Sequence, residues 1–232
     1  MMSEKIKIGT IPSIVFGEPS DHAFVYVHGR YSCKEEAESF AKVVTARNYQ
    51  VISFDLPEHG ERKEENYLCT VQNGVRDLKT VFDGIAGQYR SISLFACSLG
   101  AYFSLMAYGD IDFRNCLFLS PILDMERLIQ NMMKWSCVTE EQLRKAGEIE
   151  TSFGERLSWE YYEYVRQHRI HQWDSPTSIL YGENDYLTER SVLESFAARF
   201  NCRVTVMDGG EHYFHTAHQI EFLDRWINDH KY

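Results

Sequence analysis

Residues 94–100 read Leu-Phe-Ala-Cys-Ser-Leu-Gly, an apolar run that breaks at Ser98 and gives way to a segment with helical spacing. A sharp strand-to-helix turn at that break would hold the serine clear of both elements. The pentapeptide Ala96-Cys97-Ser98-Leu99-Gly100 is the pattern G-x-S-x-G with alanine in first place. That turn needs small residues two before and two after the serine, because larger side chains collide across it and relax the strained backbone. Ala-x-Ser-x-Gly also recurs by chance, so the surrounding chain decides what it means.

Working outward, short β-rich runs alternate with helical spacing. The strand candidates are Phe24–Val27, Val51–Asp55, Ser91–Ala96, Cys116–Leu119, Ser178–Tyr181 and Arg203–Met207. Between the first two, Ser32 and Glu35 read as a capping box ahead of Ala37, Phe40, Ala41 and Val44. The same spacing recurs at Val75, Leu78, Val81, Phe82 and Ile85, at Val192, Leu193, Phe196 and Phe200, and at Ile220, Leu223, Trp226 and Ile227. Repeated strand–helix–strand units predict an α/β fold: a mostly parallel central sheet, helices on both faces, and functional loops beyond the strands' carboxyl ends. Ile6–Phe16 is expected to add one or two antiparallel strands at an edge.

From Ile122 to about Asp174 helical signals recur without a convincing strand. Met125, Leu128, Ile129, Met132 and Met133 form one stripe, Thr139 with Gln142 reads as the start of a second helix, and Ser158 as the start of a third. The segment leaves at Ser120-Pro121 and rejoins at Ser175-Pro176, at neighbouring strand ends. Residues 122–174 are therefore expected to form a helical cap, inserted in a core of residues 1–121 and 175–232, over the functional face. Met132, Met133, Trp135, Trp159, Tyr161 and Tyr162, with Tyr31 from the core, are expected to roof a substrate site; packing of cap on core is the competing role for each.

Composition narrows the function. The 232 residues are 44% hydrophobic and 25% charged, which suits one soluble domain with a sizeable core. Lys and Arg total 24 against 34 Asp and Glu, and the net charge of −10 disfavours nucleic acid and anionic membrane as partners. A small-molecule substrate is expected, bound by a monomer or a homodimer. The six cysteines contain no C-x-x-C pair and read as free thiols of a reducing compartment. The opening residues carry charges where a signal peptide needs apolar ones, and no run of about 18 apolar residues occurs. A cytoplasmic location follows as an expectation.

A serine hydroxyl is a poor nucleophile at neutral pH and needs an imidazole to take its proton and a carboxylate to orient that imidazole. Asp185 follows one strand in Tyr181-Gly182-Glu183-Asn184-Asp185, and His212 follows the next in Asp208-Gly209-Gly210-Glu211-His212. With His28-Gly29-Arg30 after an early strand, and in the order Ser, Asp, His, these motifs resemble the α/β-hydrolase superfamily from about Ile6 to Ile227. The resemblance implies the α/β-hydrolase fold, Ser98 as nucleophile, Asp185 as acid and His212 as general base, with neither metal nor organic cofactor. It further implies an oxyanion site from the backbone N–H of Leu99 and that of Arg30, with Tyr31 the next alternative. Asp55-Leu56-Pro57-Glu58-His59-Gly60 resembles the family's Asp-x-Pro-Gly-x-Gly loop, with Glu58 where a small residue is usual.

Other readings of these residues compete. Asp208 and Asp124 are alternative acids, and His215 and His218 alternative bases. The spacing of His212, His215 and His218 could mark a metal face, but no acidic or cysteine cluster completes it. His28 and His59 read as structural or pocket-lining. The expected reaction is hydrolysis of a carboxylic ester through an acyl-enzyme. Thioesterase, perhydrolase or aminopeptidase chemistry is the alternative, the last drawing on Glu126, Glu160 or Glu163 to bind an amine. A homologue that binds ligand without turnover is a further alternative.

Overall fold

The computed structural model describes residues 1–230. In chain order the core begins with β1 (Ser3–Ile8), β2 (Ile11–Phe16), β3 (His22–Val27), α1 (Ala37–Val44), β4 (Gln50–Phe54), α2 (Val71–Ile85), β5 (Ser91–Cys97), α3 (Leu99–Ala107) and β6 (Cys116–Leu119). An insertion follows, made of α4 (Met125–Trp135), α5 (Glu140–Ala146), β7 (Glu148–Glu150), β8 (Arg156–Ser158) and α6 (Trp159–Gln167). The core closes with β9 (Thr177–Gly182), α7 (Arg190–Phe200), β10 (Arg203–Met207) and α8 (Ala217–Asp229).

Alternation along the central strands divides the interior in two. β3 sends Ala23, Val25 and Val27 to one core and Phe24 and Tyr26 to the other, and all five are buried. Burial on both faces is the mark of a covered, parallel strand. Phe40 and Val44 of α1 and Trp226 and Ile227 of α8 close one side. Leu78 of α2, Phe103 of α3 and Leu193 of α7 close the other, where Leu128, Leu143 and Tyr162 of the insertion join the same core.

The eight-stranded sheet runs β1-β2-β4-β3-β5-β6-β9-β10. β2 is antiparallel to both β1 and β4, and every other neighbouring pair is parallel. From β3 the chain first builds outward to β4, then crosses back to β5 on β3's other side. The strand order thus reverses between β3 and β5, the crevice in which open α/β sheets hold their ligands. Val27 pairs with Ala96 there, so the loop after β3 and the turn after β5 leave the sheet side by side.

Two local expectations change. Ser32 and Glu35 make no capping box: a 3₁₀ turn over Lys34–Glu36 precedes α1, and Ser32 Oγ–H instead donates to the Glu36 carboxylate. The insertion is not all helix, because β7 and β8 pair as a two-stranded hairpin. Three-residue strands are too short to show an alternation, which is why spacing could not find them. The insertion's helices begin as their sequence indicates, with a reciprocal Thr139–Gln142 capping box at α5 and Ser158 Oγ accepting from Tyr161 N–H at α6. Among the described residues no helix is long and apolar enough to cross a membrane.

Candidate active site

Ser98 stands between the end of β5 and the start of α3 with φ of 50° and ψ of −116°, a backbone conformation that side chains rarely adopt. The small neighbours permit it. A Cβ on Gly100 would lie 2.4 Å from the His28 carbonyl oxygen and 2.7 Å from that of Val27, so only glycine lets α3 start this close to β3.

Ser98 Oγ lies 2.8 Å from His212 Nε2, and His212 Nδ1 lies 2.8 Å from Asp185 Oδ2. The Asp185 carboxylate is inaccessible, and its other oxygen accepts from the N–H groups of Leu187 (2.9 Å) and Thr188 (3.1 Å). Because that carboxylate accepts the Nδ1 proton, the tautomer leaves Nε2 free to accept from the serine hydroxyl. The loops bearing Asp185 and His212 are locked together: Asn184 N–H donates to the Gly210 carbonyl at 2.7 Å, and a Cβ on Gly182 would lie 2.5 Å from the Glu211 carbonyl oxygen.

Asp124 instead caps α4, accepting from Arg127 N–H at 2.9 Å. His215 Nδ1–H donates to the Tyr213 carbonyl at 2.8 Å. Among the described residues no group of three or more His, Cys, Asp or Glu is arranged to hold a metal.

The loop after β3 is held from beneath by two neutral histidines. His28 Nδ1–H donates to the Gly29 carbonyl (2.8 Å) and its Nε2 accepts from Leu56 N–H (3.1 Å). His59 Nδ1–H donates to the Pro57 carbonyl (2.7 Å) and its Nε2 accepts from Tyr31 N–H (3.1 Å). Tyr31 N–H is therefore engaged. The N–H of Arg30 and that of Leu99, at the head of α3, have no partner among the described residues. The loop also runs against the serine, since a Cβ on Gly29 would be 3.3 Å from Ser98 Cβ.

Burial lowers the pKa of His28 to about 4, the bond to Gly29 O opposing it, and burial likewise lowers that of His59. In the unfolded chain a histidine takes up its proton near pH 6.5, roughly. Stability from a neutral His28 is therefore complete above that pH and is lost as pH falls toward 4, by up to about 3 kcal/mol. Urea unfolding between pH 7.5 and 4.5 should show this slope, and His28→Asn should flatten part of it; an unchanged slope in the variant contradicts the account.

Beneath His28 lies a charged group that local patterns do not announce. Lys34 is 1% exposed, and its Nζ donates to Asp55 Oδ2 (2.7 Å) and Glu61 Oε1 (2.9 Å). Asp55 also accepts from the N–H groups of Lys34 (2.9 Å) and Glu61 (3.0 Å). Burial works against the Lys34 charge, yet Asp55 and Glu61 outweigh it and raise its pKa. Glu58 keeps its place with a positive φ of 62° and accepts from Cys69 N–H at 2.6 Å.

Ser98 and His212 lie in a cleft of about 1780 Å³. Leu99, Ile122, Leu128, Ile129, Met132 and Leu157 make its apolar wall. Of the expected roof, Tyr31, Met132, Trp135 and Tyr161 line this cleft. Met133, Trp159 and Tyr162 do not. Met133 and Tyr162 are buried in the core between insertion and sheet, and Trp159 packs against that core with its ring 5.9 Å from that of Tyr162. One face of each amphipathic helix must cover its own hydrophobic neighbours, and these three lie on it. Spacing did not single out Phe153, Tyr186 and Tyr213, which line the cleft while 43%, 68% and 67% exposed. Tyr186 and Tyr213 directly follow Asp185 and His212, the one sequence signal that could have found them.

No protein-family model matches the chain, and no curated protein does. Solved structures do. Est1E from Butyrivibrio proteoclasticus, solved with ferulic acid bound, is 17% identical with a TM-score of 0.74, over 97% of this chain and 96% of that one. Alpha/beta hydrolase domain-containing protein 10 from mouse is 16% identical with a TM-score of 0.75, over 99% and 98%. A monoacylglycerol lipase from Paleococcus ferrophilus is 17% identical with a TM-score of 0.66, over 95% and 99%. Likeness at this identity carries architecture, and with the strand order and the turn at Ser98 it leads to one statement: the chain has the fold of the α/β-hydrolase superfamily.

Proposed function

We propose that the protein is a serine hydrolase that cleaves an uncharged carboxylic ester. The observation that carries the reading is the chain of hydrogen bonds from Ser98 through His212 to Asp185, 2.8 Å at each link, on the floor of an open cleft. His212 Nε2 takes the hydroxyl proton as Ser98 Oγ attacks the acyl carbon, and Asp185 stabilises the imidazolium that forms. The N–H groups of Leu99 and Arg30 hold the oxyanion; Arg30 is preferred over Tyr31 because Tyr31 N–H already donates to His59. Collapse expels the alcohol with the proton from His212, and a water activated by the same imidazole then releases the acid.

The apolar wall supports an uncharged acyl group, and the exposed rings at the mouth support an apolar or aromatic one. Est1E was solved with an aromatic acid, ferulic acid. Of the carboxylates named for the amine-binding alternative, Glu126 is held by Arg169 at 2.6 Å and Glu163 is exposed outside the cleft, so that alternative rests on Glu160 alone, which lines the cleft. Six free cysteines support a reducing compartment.

Two measurements test the reading. p-Nitrophenyl esters from acetate to dodecanoate, with amide and thioester analogues, should show ester turnover that peaks at one chain length. A fluorophosphonate should label one site, mapping to the peptide with Ser98. Labelling elsewhere, or no label and no turnover, would overturn it.

A further inference from the structure

The hairpin of the insertion reaches back to the loop that carries the Arg30 N–H. At its tip Thr151 Oγ1 accepts from Glu155 N–H (3.1 Å) and donates to the Glu155 carbonyl (2.6 Å), so the Glu155 backbone is set by its own turn. The side chain meets Arg30 with both oxygens: Nη2 to Oε2 at 3.1 Å and Nε to Oε1 at 3.3 Å. Tyr31 Oη–H donates to the same carboxylate at 2.5 Å. Burial opposes the charge on Arg30, but Glu155 outweighs it and raises its pKa.

Arg30 is the cation tied most directly to the chemistry, because its own N–H faces the acyl oxygen in the proposed reaction. A free guanidinium there would recognise a substrate carboxylate by a fork of two hydrogen bonds. Glu155 already fills that fork. Of the other cations of the cleft among the described residues, Lys5 is held by Glu35 and Glu61, Lys34 by Asp55 and Glu61, and Arg156 by Glu148 and Glu150, while Lys63 is exposed, where water and salt screen its charge. Among the described residues eight carboxylates line the cleft against five cations, so the field an anionic substrate meets is repulsive.

We propose that Glu155 is a specificity-determining residue: it masks Arg30, and the cleft therefore takes acyl groups without charge and rejects those that end in a carboxylate. This rests on the ester hydrolysis proposed above. Specificity of this kind is a difference between two substrates, and occupying a group that would favour the wrong one builds it.

The test compares kcat/KM for p-nitrophenyl hexanoate and for mono-p-nitrophenyl adipate, the same six-carbon acyl group with and without a terminal carboxylate. The ratio is taken within each enzyme preparation, so a partly folded variant does not distort it. The wild type should prefer the hexanoate. Glu155→Gln keeps the shape and removes the charge, and should shift the ratio toward the adipate by about tenfold or more, as one unmasked charge near a half-buried site does. In Arg30→Gln/Glu155→Gln the gain should disappear, while the backbone N–H at position 30 is retained.

A ratio within twofold of wild type in Glu155→Gln, or a gain that survives in the double variant, would overturn the role of Glu155. Hexanoate turnover that vanishes in Ser98→Ala keeps the hydrolase reading in either case. Absence of any Ser98-dependent turnover overturns both.

Discussion

Ser98→Ala should lower kcat on the best ester by about 10⁴- to 10⁶-fold, the range seen when a triad nucleophile is removed. The size follows from the proposed mechanism, in which the variant forms no acyl-enzyme and keeps only the oxyanion donors and substrate binding. Among the described residues Ser98 Oγ hydrogen-bonds only to His212, so the variant should fold and melt as the wild type does. Asp185→Asn should cost about 10⁴-fold, because an amide in that place can donate to Nδ1 and present the wrong tautomer to the serine. Steady-state rates with circular dichroism melts check both. Wild-type activity in a contaminant-free Ser98→Ala preparation would end the assignment.

Lys34→Met should cost about 3–5 kcal/mol of stability, as removing one member of a buried ion pair does. Methionine fills much the same volume, so the loss is electrostatic. Asp55 is 0% exposed and would keep only two backbone donors for its charge. The site would loosen with it, because the next residue, Leu56, donates to His28, and His28 in turn holds the Gly29 carbonyl. Urea unfolding measures the loss, and a change below 1 kcal/mol would show that those donors suffice. An accompanying fall in kcat, with KM little changed, would trace the damage to the loop after β3, proposed to supply the Arg30 N–H to the oxyanion.

The core was legible because its strands obey local rules. β3, β5, β6 and β9 are short, largely apolar runs between turn residues, as buried parallel strands are, and β10, an edge strand exposed at Arg203 and Val204, is legible by its β-branched Val204, Thr205 and Val206. The motif residues were legible for a related reason: Ser98, Asp185 and His212 each follow a strand's carboxyl end, where loops carry chemistry. Met133, Trp159 and Tyr162 misled because spacing reports which helix face is apolar and not whether that face meets core or cleft. β7 and β8 were invisible because their pairing partner is each other, with no periodicity of their own.

The linear chain by itself determined the parallel α/β architecture, the turn that lifts Ser98, and the order of residues that can pair with it, since each depends on neighbours a few positions away. Only the tertiary structure decided that Tyr31 N–H is taken by His59 and that Lys34 is buried among carboxylates. It alone also set Glu155 against Arg30, 125 positions away. Hydrogen bonds and ion pairs act over about 3 Å of space, and at such separations the sequence carries no local trace of them.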